Sequence, residues 1–420
     1  MLERPKLFST VKEFWLTLSV FLVLFAIRLS FVYLQYQTFI VKPFYFTYVD
    51  VLQQYQKEKK GNRYTVLRVY SSELDLDFFT RTYRKDNLLN KRIRLKLFPS
   101  REMSFTEYLR TSFISSRVNR VLDKSDSLKY SLLRQIESQH TEPIITSFYQ
   151  AIFLAKPLPK ELRKQVSKLG VSHIIALSGM HLAILWGVLF FLFRPLYRVF
   201  QQRYFPYRFD LIDIGLLILL ILGWFVWFVD APASLLRSYG MMVVGWIVLI
   251  LGVELVSFAL LATIVMLLLF LFPKMVLSLA FWFSLLGVFY LFLIIKSFVG
   301  VNKYLVTLII AFGMFVLMSP IVHIVFPTTS TLQLYSPLLS LGFSLFYPVS
   351  IFCHIVGVGG VFDEWLLALF RLESEVVNRE LDIVLGVGYL LLSFGAVYFK
   401  RLFYLLFLVA LGFMGWIFLI

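Results

Sequence analysis

A chain of 420 residues in which 59% are apolar, 45 are Phe and 16% are charged is too hydrophobic for a water-soluble globule, and a mean hydropathy of +0.78 assigns its apolar stretches to hydrocarbon, where the backbone must satisfy itself as helix. Those stretches exceed the roughly 17 residues a spanning helix needs and lack two-residue alternation, which argues against a transmembrane β-barrel. The lone cysteine, Cys353, excludes an internal disulfide and a cysteine-based metal site. The net charge of +16 is in part the usual gathering of Lys and Arg in cytoplasmic loops.

Residues 1–40 read as a retained membrane anchor. The polar, basic start MLERPKLFST precedes an apolar run from Val11 to Phe39 that is too long for a signal peptide and has no small-residue cleavage site after it, so the N-terminus is expected inside. Arg28 within this run snorkels or pairs with a neighbouring helix.

Over 41–105 the texture changes to short strand-like pieces, FYFTYVDVLQQY, RYTVLRVY, LDLDFFTRTY and KRIRLKLF, separated by the KEKKGN and RKDN turn clusters. Alternation in RYTVLRVY and RIRLKLF sets Arg or Lys on one face and aliphatics on the other, as half-buried strands require. The segment is long enough for a five-stranded barrel of the OB type, a fold whose curved face often holds nucleic acid or oligosaccharide. Residues 41–137 carry 20 Lys and Arg against 11 Asp and Glu. If the N-terminus is inside, this excess lies opposite the positive-inside loops, so membrane topology does not account for it and a polyanionic ligand is expected. The residues expected to touch it are Lys59, Lys60, Arg63, Tyr64, Arg92, Arg94 and Lys96, with Tyr70, Phe78, Phe79 and Tyr83 as further ring surfaces unless they are core.

Residues 106–170 read as an amphipathic, interfacial helical linker broken by Pro143, Pro157 and Pro159. From 171 to 420 the chain reads as a multi-helix membrane domain with spans near 171–193, 211–229, 235–252, 255–272, 275–295, 304–325, 333–357, 381–399 and 402–420. The loop at 194–208 carries Arg194, Arg198, Arg203 and Arg208 without a carboxylate and is expected in the cytoplasm. Lys400 and Arg401 also want the cytoplasm, which uninterrupted crossings do not allow. The segment 333–357, with Pro337, Gly342 and Pro348, is therefore expected to break into two halves that enter and leave on one side.

Two windows place polar groups at membrane depth. KLGVSHIIALSGMHLAILWGVLFFLFR puts His173, Ser178, Gly179 and His181 in an apolar helix, where such groups face a bundle interior or a wet cavity. Ser178 with two histidines raises a hydrolase reading, but no acid and no oxyanion site accompany them, and no catalytic residue is assigned. DAPASLLRSYGMMVVG brings Pro232, Ser234 and Arg237 into the next such window. Arg237 suits phosphate because guanidinium offers fixed donors and keeps its proton; an internal pair with Asp230 or Glu254 is the alternative. His323 and His354 read as packing residues, and no nucleotide-binding, metal or cofactor signature is present.

The order of these parts, an anchor, an OB-like domain, an amphipathic linker, then GVSHIIALSGMHLAIL and APASLLRSYGMMVVGWIVL, resembles the ComEC family of competence proteins, whose members show an HLLAISGLHV-like segment followed by a PPSxLRA-like one. The first motif maps onto His173, Ser178, Gly179 and His181, the second onto Pro232, Ser234 and Arg237. The resemblance implies an α-helical polytopic integral membrane protein with a small extracytoplasmic OB-like β-barrel domain. It implies a channel in the bacterial cytoplasmic membrane that passes one DNA strand during natural transformation. Its implied partners are a helix-hairpin-helix DNA receptor outside and a cytoplasmic helicase or strand-binding proteins. A transporter or exporter of an anionic polysaccharide or lipid-linked polymer is the rival function. Many members append a metallo-β-lactamase-like domain, for which no HxHxDH-type set stands here, and cysteines that bridge the OB-like domain of some relatives are missing.

Overall fold

The computed structural model describes residues 5–59, 62–84, 86–89, 91–122 and 128–419, the side chains of Lys59, Asn62 and Ala233 excepted. Its contacts divide the chain into two compact units: Thr10–Gln135 with Val265–Leu279, and the residues up to Ser9 with Ile136–Ile264 and Ala280–Ile420.

The first unit begins with α1 (Val11–Val41), started by a reciprocal cap in which Thr10 Oγ1 accepts from the Glu13 amide at 3.2 Å and Glu13 Oε2 accepts from the Thr10 amide at 3.4 Å. Its 31 residues rise about 46 Å, more than a hydrocarbon core is thick. Only Val32, Tyr36 and Phe39, near its C-terminal end, are buried. There the Tyr36 hydroxyl donates to Met103 O at 2.6 Å and Phe39 stacks on Tyr45. The strands β1 (Tyr45–Lys59), β2 (Asn62–Ser71), β3 (Leu76–Thr82) and β4 (Arg92–Phe98) follow, then α2 (Phe105–Leu109), β5 (Ser112–Phe113), β6 (Ser115–Leu122) and α3 (Leu128–Glu137).

These strands form one six-stranded sheet in the order β5-β3-β2-β1-β4-β6. All pairs are antiparallel except β3 with β5. The expected closed five-stranded barrel over 41–105 is corrected on two points. Among the described residues the hydrogen-bonded order ends at β5 and β6 rather than closing, and strand structure continues to Leu122, into the segment read as helical. The reason lies in SSRVNRVL, where the pairing with β4 skips Asn119, and this bulge turns both Val118 and Val121 toward the core. Alternation elsewhere works as expected: Ile93, Leu95 and Leu97 are fully buried while Arg92 and Arg94 are exposed. The segment Val265–Leu279 joins this unit through Lys274, whose Nζ lies 2.8 Å from Asp75 Oδ2.

The second unit contains α4 (Pro143–Leu154), α5 (Lys160–Lys168), α6 (Ser172–Ile175), α7 (Gly179–Tyr204), α8 (Asp210–Phe228), α9 (Ala233–Ile250), the first half of α10 (Phe258–Leu271), α11 (Leu279–Ser297), α12 (Lys303–Val325), β7 (Thr328–Thr329), α13 (Ser336–Val356), α14 (Asp363–Phe370), β8 (Val377–Asn378), α15 (Ile383–Tyr398) and α16 (Lys400–Leu419). Among the described residues 7 helices are long and apolar enough to cross a membrane, namely α1, α7, α8, α11, α12, α13 with the turn before it, and α16. The apolar helices α4, α9, α10 and α15 are shorter.

Among the described residues two cores hold the bundle. Leu182, Ile218, Leu222 and Leu235 pack α7, α8 and α9 together, and Tyr290, Leu317, Phe403 and Leu406 join α11, α12, α15 and α16. The buried hydroxyls in the second core are satisfied, Tyr290 with Ser393 at 3.0 Å and Tyr389 with Leu317 O at 2.9 Å. Lys296 Nζ donates to Val397 O at 3.2 Å, so the α11–α12 link and the α15–α16 turn lie at one end, which carries Lys296, Lys303, Lys400 and Arg401. Residues 194–204, expected as part of a loop, instead continue α7, and the arginines of this region find carboxylates on α8: Arg194 and Arg198 reach Asp210 at 2.9 and 3.2 Å, and Arg208 reaches Asp213 at 2.9 Å.

The expected break inside 333–357 is also corrected, because α13 runs unbroken through Pro348. The chain nevertheless returns to the end from which it left. β7 pairs with β8, Ser330 Oγ lies 3.1 Å and Thr331 Oγ1 3.0 Å from Ser374 Oγ, and the Arg379 amide donates to Pro327 O at 2.7 Å. A turn after Gly357, which takes the left-handed conformation at φ +88, and the short α14 make the return, so a helix break is not needed. With Thr331→Cys and Ser374→Cys in a Cys353→Ser background, mild oxidation should form an intramolecular disulfide, seen as a mass loss of about 2 Da on intact-protein mass spectrometry. Absence of the crosslink would contradict the returning path.

Candidate functional site

The outer face of the sheet carries cations interleaved with rings. Register pairs Phe46 with Lys96, Tyr48 with Arg94 and Asp50 with Arg92 across β1 and β4, and Arg94 with Arg120 and Lys96 with Arg117 across β4 and β6. Directly opposed residues share a face, so a band of rings lies beside two basic rows. Arg94 stands 5.1 Å over Phe46 and 5.8 Å over Tyr48, Arg92 5.7 Å over Tyr48, and Lys96 4.0 Å over Phe44 and 5.5 Å over Phe98. Cation–π contact holds the long side chains upright against the sheet while leaving their donors to solvent. Arg68, on β2, is neutralised differently: hydrogen bonds from its guanidinium to Asp77 raise its pKa and hold it in a pair.

The seven residues expected to bind a polyanion do not form one cluster. Arg92, Arg94 and Lys96 form the row just described. Arg63 and Tyr64 lie near the β1–β2 turn, opposite Glu58 and Lys57, and Arg63 pairs with Glu58 at 3.2 Å. Asp50 and Glu58 stand eight positions apart on β1, about 26 Å at ~3.3 Å per residue. Lys60 and the side chain of Lys59 lie outside the described residues. Arg117, Arg120, Phe44, Phe46 and Tyr48 were not singled out from the sequence, although the alternation of rings in FYFTY held the signal for the last three.

The second constellation lies where the N-termini of α7 and α9 meet. Ser234 Oγ donates to Leu177 O at 2.7 Å, and Ser238 Oγ donates to Ser234 O at 3.0 Å. A Cβ on Gly179 would stand 2.9 Å from Ser238 Oγ and 3.2 Å from Ser238 Cβ, so only glycine permits this approach. Asp230 and Ala231, both at positive φ, turn the chain between α8 and α9, and Pro232 is the N-cap of α9. The Ser178 amide donates to His181 Nδ1 at 3.2 Å, which places the ring hydrogen of the neutral imidazole on Nε2. That Nε2 is buried and has no partner among the described residues. His181 is held edge-on by Phe343 and Tyr347 of α13, with ring centroids 5.2 and 4.8 Å away.

Arg237, one residue before Ser238, is 2% exposed. Its Nε is likewise buried without a partner among the described residues, and its guanidinium lies 6.0 Å from the Phe281 ring. The structure thus brings Ser178, Gly179, His181, Pro232, Ser234 and Arg237 to one helix junction, whereas His173 sits exposed on α6. A buried donor without an acceptor costs about 1–3 kcal/mol, and more when charged. Each of these donors stands in the first turns of its helix, where the helix N-terminus favours an anion.

A scan of protein families matches the family described as Competence protein over residues 155–419. The chain belongs to the Competence protein family. No curated protein and no solved structure matches it. Together with the 7 helices able to span, membership makes the chain a multi-pass membrane protein with a role in competence, the uptake of DNA. The α7–α9 junction lies inside the matched region, and the sheet lies before it.

Gly179→Ala should lower thermal stability of the detergent-solubilised protein by about 1–3 kcal/mol through overpacking, and adding Ser238→Gly should recover most of that loss. A neutral effect of Gly179→Ala on the melting midpoint would contradict the close approach of α7 and α9.

Proposed function

We propose that this Competence family member carries single-stranded DNA across the bacterial cytoplasmic membrane during natural transformation. The observation that carries the reading is Arg237, a buried guanidinium whose Nε lacks a partner at the meeting of two helix N-termini inside a bundle of membrane-length helices. Every nucleotide brings a negative charge, and a bare charge at the bilayer centre costs several kcal/mol. Arg237 and His181 already bear the cost of being buried as donors, so a passing phosphate gains hydrogen bonds there without new desolvation of the protein. Helix N-termini add partial positive charge in the same place.

The sheet supplies the collecting surface in this proposal. Rings at Phe44, Phe46 and Tyr48 beside Arg92, Arg94, Lys96, Arg117 and Arg120 suit a strand whose bases stack while its phosphates meet cations. An OB-like reading is supported by the succession of β5 and β6, which are separated only by Ile114 although one borders β3 and the other β4. We place the sheet outside the cytoplasm, because α1 is long enough to cross and the basic start of the chain before it wants the cytoplasm. The chain acts as a conduit rather than an enzyme. A helix-hairpin-helix receptor delivers DNA from outside, and a cytoplasmic helicase or strand-binding proteins draw the strand in.

Arg237→Ala should lower transformation by about 10–100-fold, the equivalent of one charge-assisted contact of ~1.5–3 kcal/mol, with unchanged protein in the membrane fraction. Normal transformation by this variant would overturn the assignment. Replacing Arg92, Arg94 and Lys96 together by Ala should weaken binding of a fluorescent oligonucleotide to the full-length protein and flatten its salt dependence by about 2 log units per decade of salt. An unchanged slope would exclude this face.

A further inference from the structure

One group of titratable side chains lies apart from both constellations. His140, in the link before α4, places Nδ1 at 3.0 and 2.9 Å from the two carboxylate oxygens of Asp363, the first residue of α14. Its Nε2 lies 2.9 Å from Nε2 of His354 on α13, whose Nδ1 is 2.7 Å from Ser350 O. Gln139 closes the arrangement: its Nε2 donates to His354 O at 3.1 Å and its Oε1 accepts from the Gly359 amide at 2.8 Å. The Tyr149 ring of α4 stacks on His140 at 4.6 Å and lies 4.4 Å from His354. Tyr149 and Cys353 are the other titratable groups that face the cluster, while Glu137, Glu142 and Glu364 on the flanking elements are exposed.

The distances fix a proton count. Ser350 O can only accept, so His354 Nδ1 carries a hydrogen. Two imidazole nitrogens at 2.9 Å need one hydrogen between them, and the contact of His140 with Asp363 needs another. The contacts therefore hold one hydrogen more than two neutral imidazoles and a carboxylate bring. A further proton would set N–H against N–H across the His140–His354 contact. Removal of the extra proton would set lone pair against lone pair. Both imidazoles are shut from solvent, whereas the Asp363 side chain is 16% exposed and gives the group its access to water.

We propose that His140, His354 and Asp363 form a proton-operated clasp that ties the α13–α14 turn to the segment before α4, closed with one shared proton and opened by gaining a second or losing the first. The clasp bears on the DNA path because α13 also carries Phe343 and Tyr347 against His181.

The linkage follows from counting. Histidines released to water charge near pH ~6.5 and a released carboxylate is ionised above about pH 5. The open form therefore binds no imidazole proton well above ~6.5 and two well below it, while the closed form holds one throughout. Closure is strongest near ~6.5 and weakens about tenfold per pH unit on each side. In Asp363→Asn the amide donates to His140 Nδ1, so the closed form needs no extra proton. Its alkaline limb should disappear and its acid limb should steepen to about 100-fold per unit. In His354→Gln the open and closed forms hold the same single imidazole proton at acid pH, so the acid limb should vanish.

The test is hydrogen exchange of the peptide containing Gly359, measured between about pH 5 and 9 on the full-length protein in lipid nanodiscs and corrected for intrinsic rates. Protection that peaks near ~6.5 in the native chain, with the stated change in each variant, supports the clasp. Protection independent of pH in the native chain, or Asp363→Asn and His354→Gln profiles that both match it, overturns the clasp while leaving the DNA reading untouched.

Discussion

Hydrocarbon offers no partner to a backbone amide or carbonyl, and most of this protein follows from that constraint. It forces the apolar stretches into helices long enough to satisfy themselves, and it penalises each polar side chain carried with them. Most such side chains therefore find partners inside the bundle. Tyr290, Ser393 and Tyr389 bond to one another or to the backbone of α12, and Arg194, Arg198 and Arg208 meet Asp210 and Asp213. Among the described residues, His181 Nε2 and Arg237 Nε are buried without a hydrogen-bond partner, as are the Tyr149 hydroxyl, Trp246 Nε1 and Arg379 Nε. In the proposed function the first two, each near the start of its helix, serve an anion that visits rather than one that stays.

In the proposed function the two constellations divide the work of handling a polyanion. On the sheet, cations are held by ring faces and remain available to solvent, which suits reversible, salt-sensitive contact with a flexible strand. At the α7–α9 junction the donors are dry and few, which suits contact with single phosphates. α13 links the junction to a third feature, since it touches His181 near its middle and His140 near its C-terminal end. Its return through α14 also accounts for the charge pattern: the segment from Ser330 to Ser374 begins and ends together, so α15 can carry the chain to the basic end marked by Lys400 and Arg401.

Hydropathy made several helices legible almost to the residue, whereas the span expected at 171–193 is Gly179–Tyr204, preceded by the separate short helix α6. The spans expected at 211–229, 304–325 and 402–420 are Asp210–Phe228, Lys303–Val325 and Lys400–Leu419. Alternation did the same for β4, whose aliphatics are buried and whose basic residues line one face. β6 was missed because a bulge at Asn119 breaks the two-residue rhythm that identifies a strand. The continuity of α13 was missed because Pro348 and the nearby glycines read as breakers, whereas packing against α12 and α7 holds the helix together. At the α7–α9 junction the residue types were legible, but the approach of Gly179 to Ser238 was not. The His140–His354–Asp363 group was invisible, since His140 lies more than 200 residues from the other two and each alone looks like a packing or surface residue.

The most direct measurement of the central claim follows labelled donor DNA, in a strain lacking this chain, to the compartment where it stops. The account expects transformants to be lost while labelled DNA still gathers outside the cytoplasmic membrane, with both returning to normal when the chain is restored. Labelled strand reaching the cytoplasm and yielding transformants without this chain would contradict it.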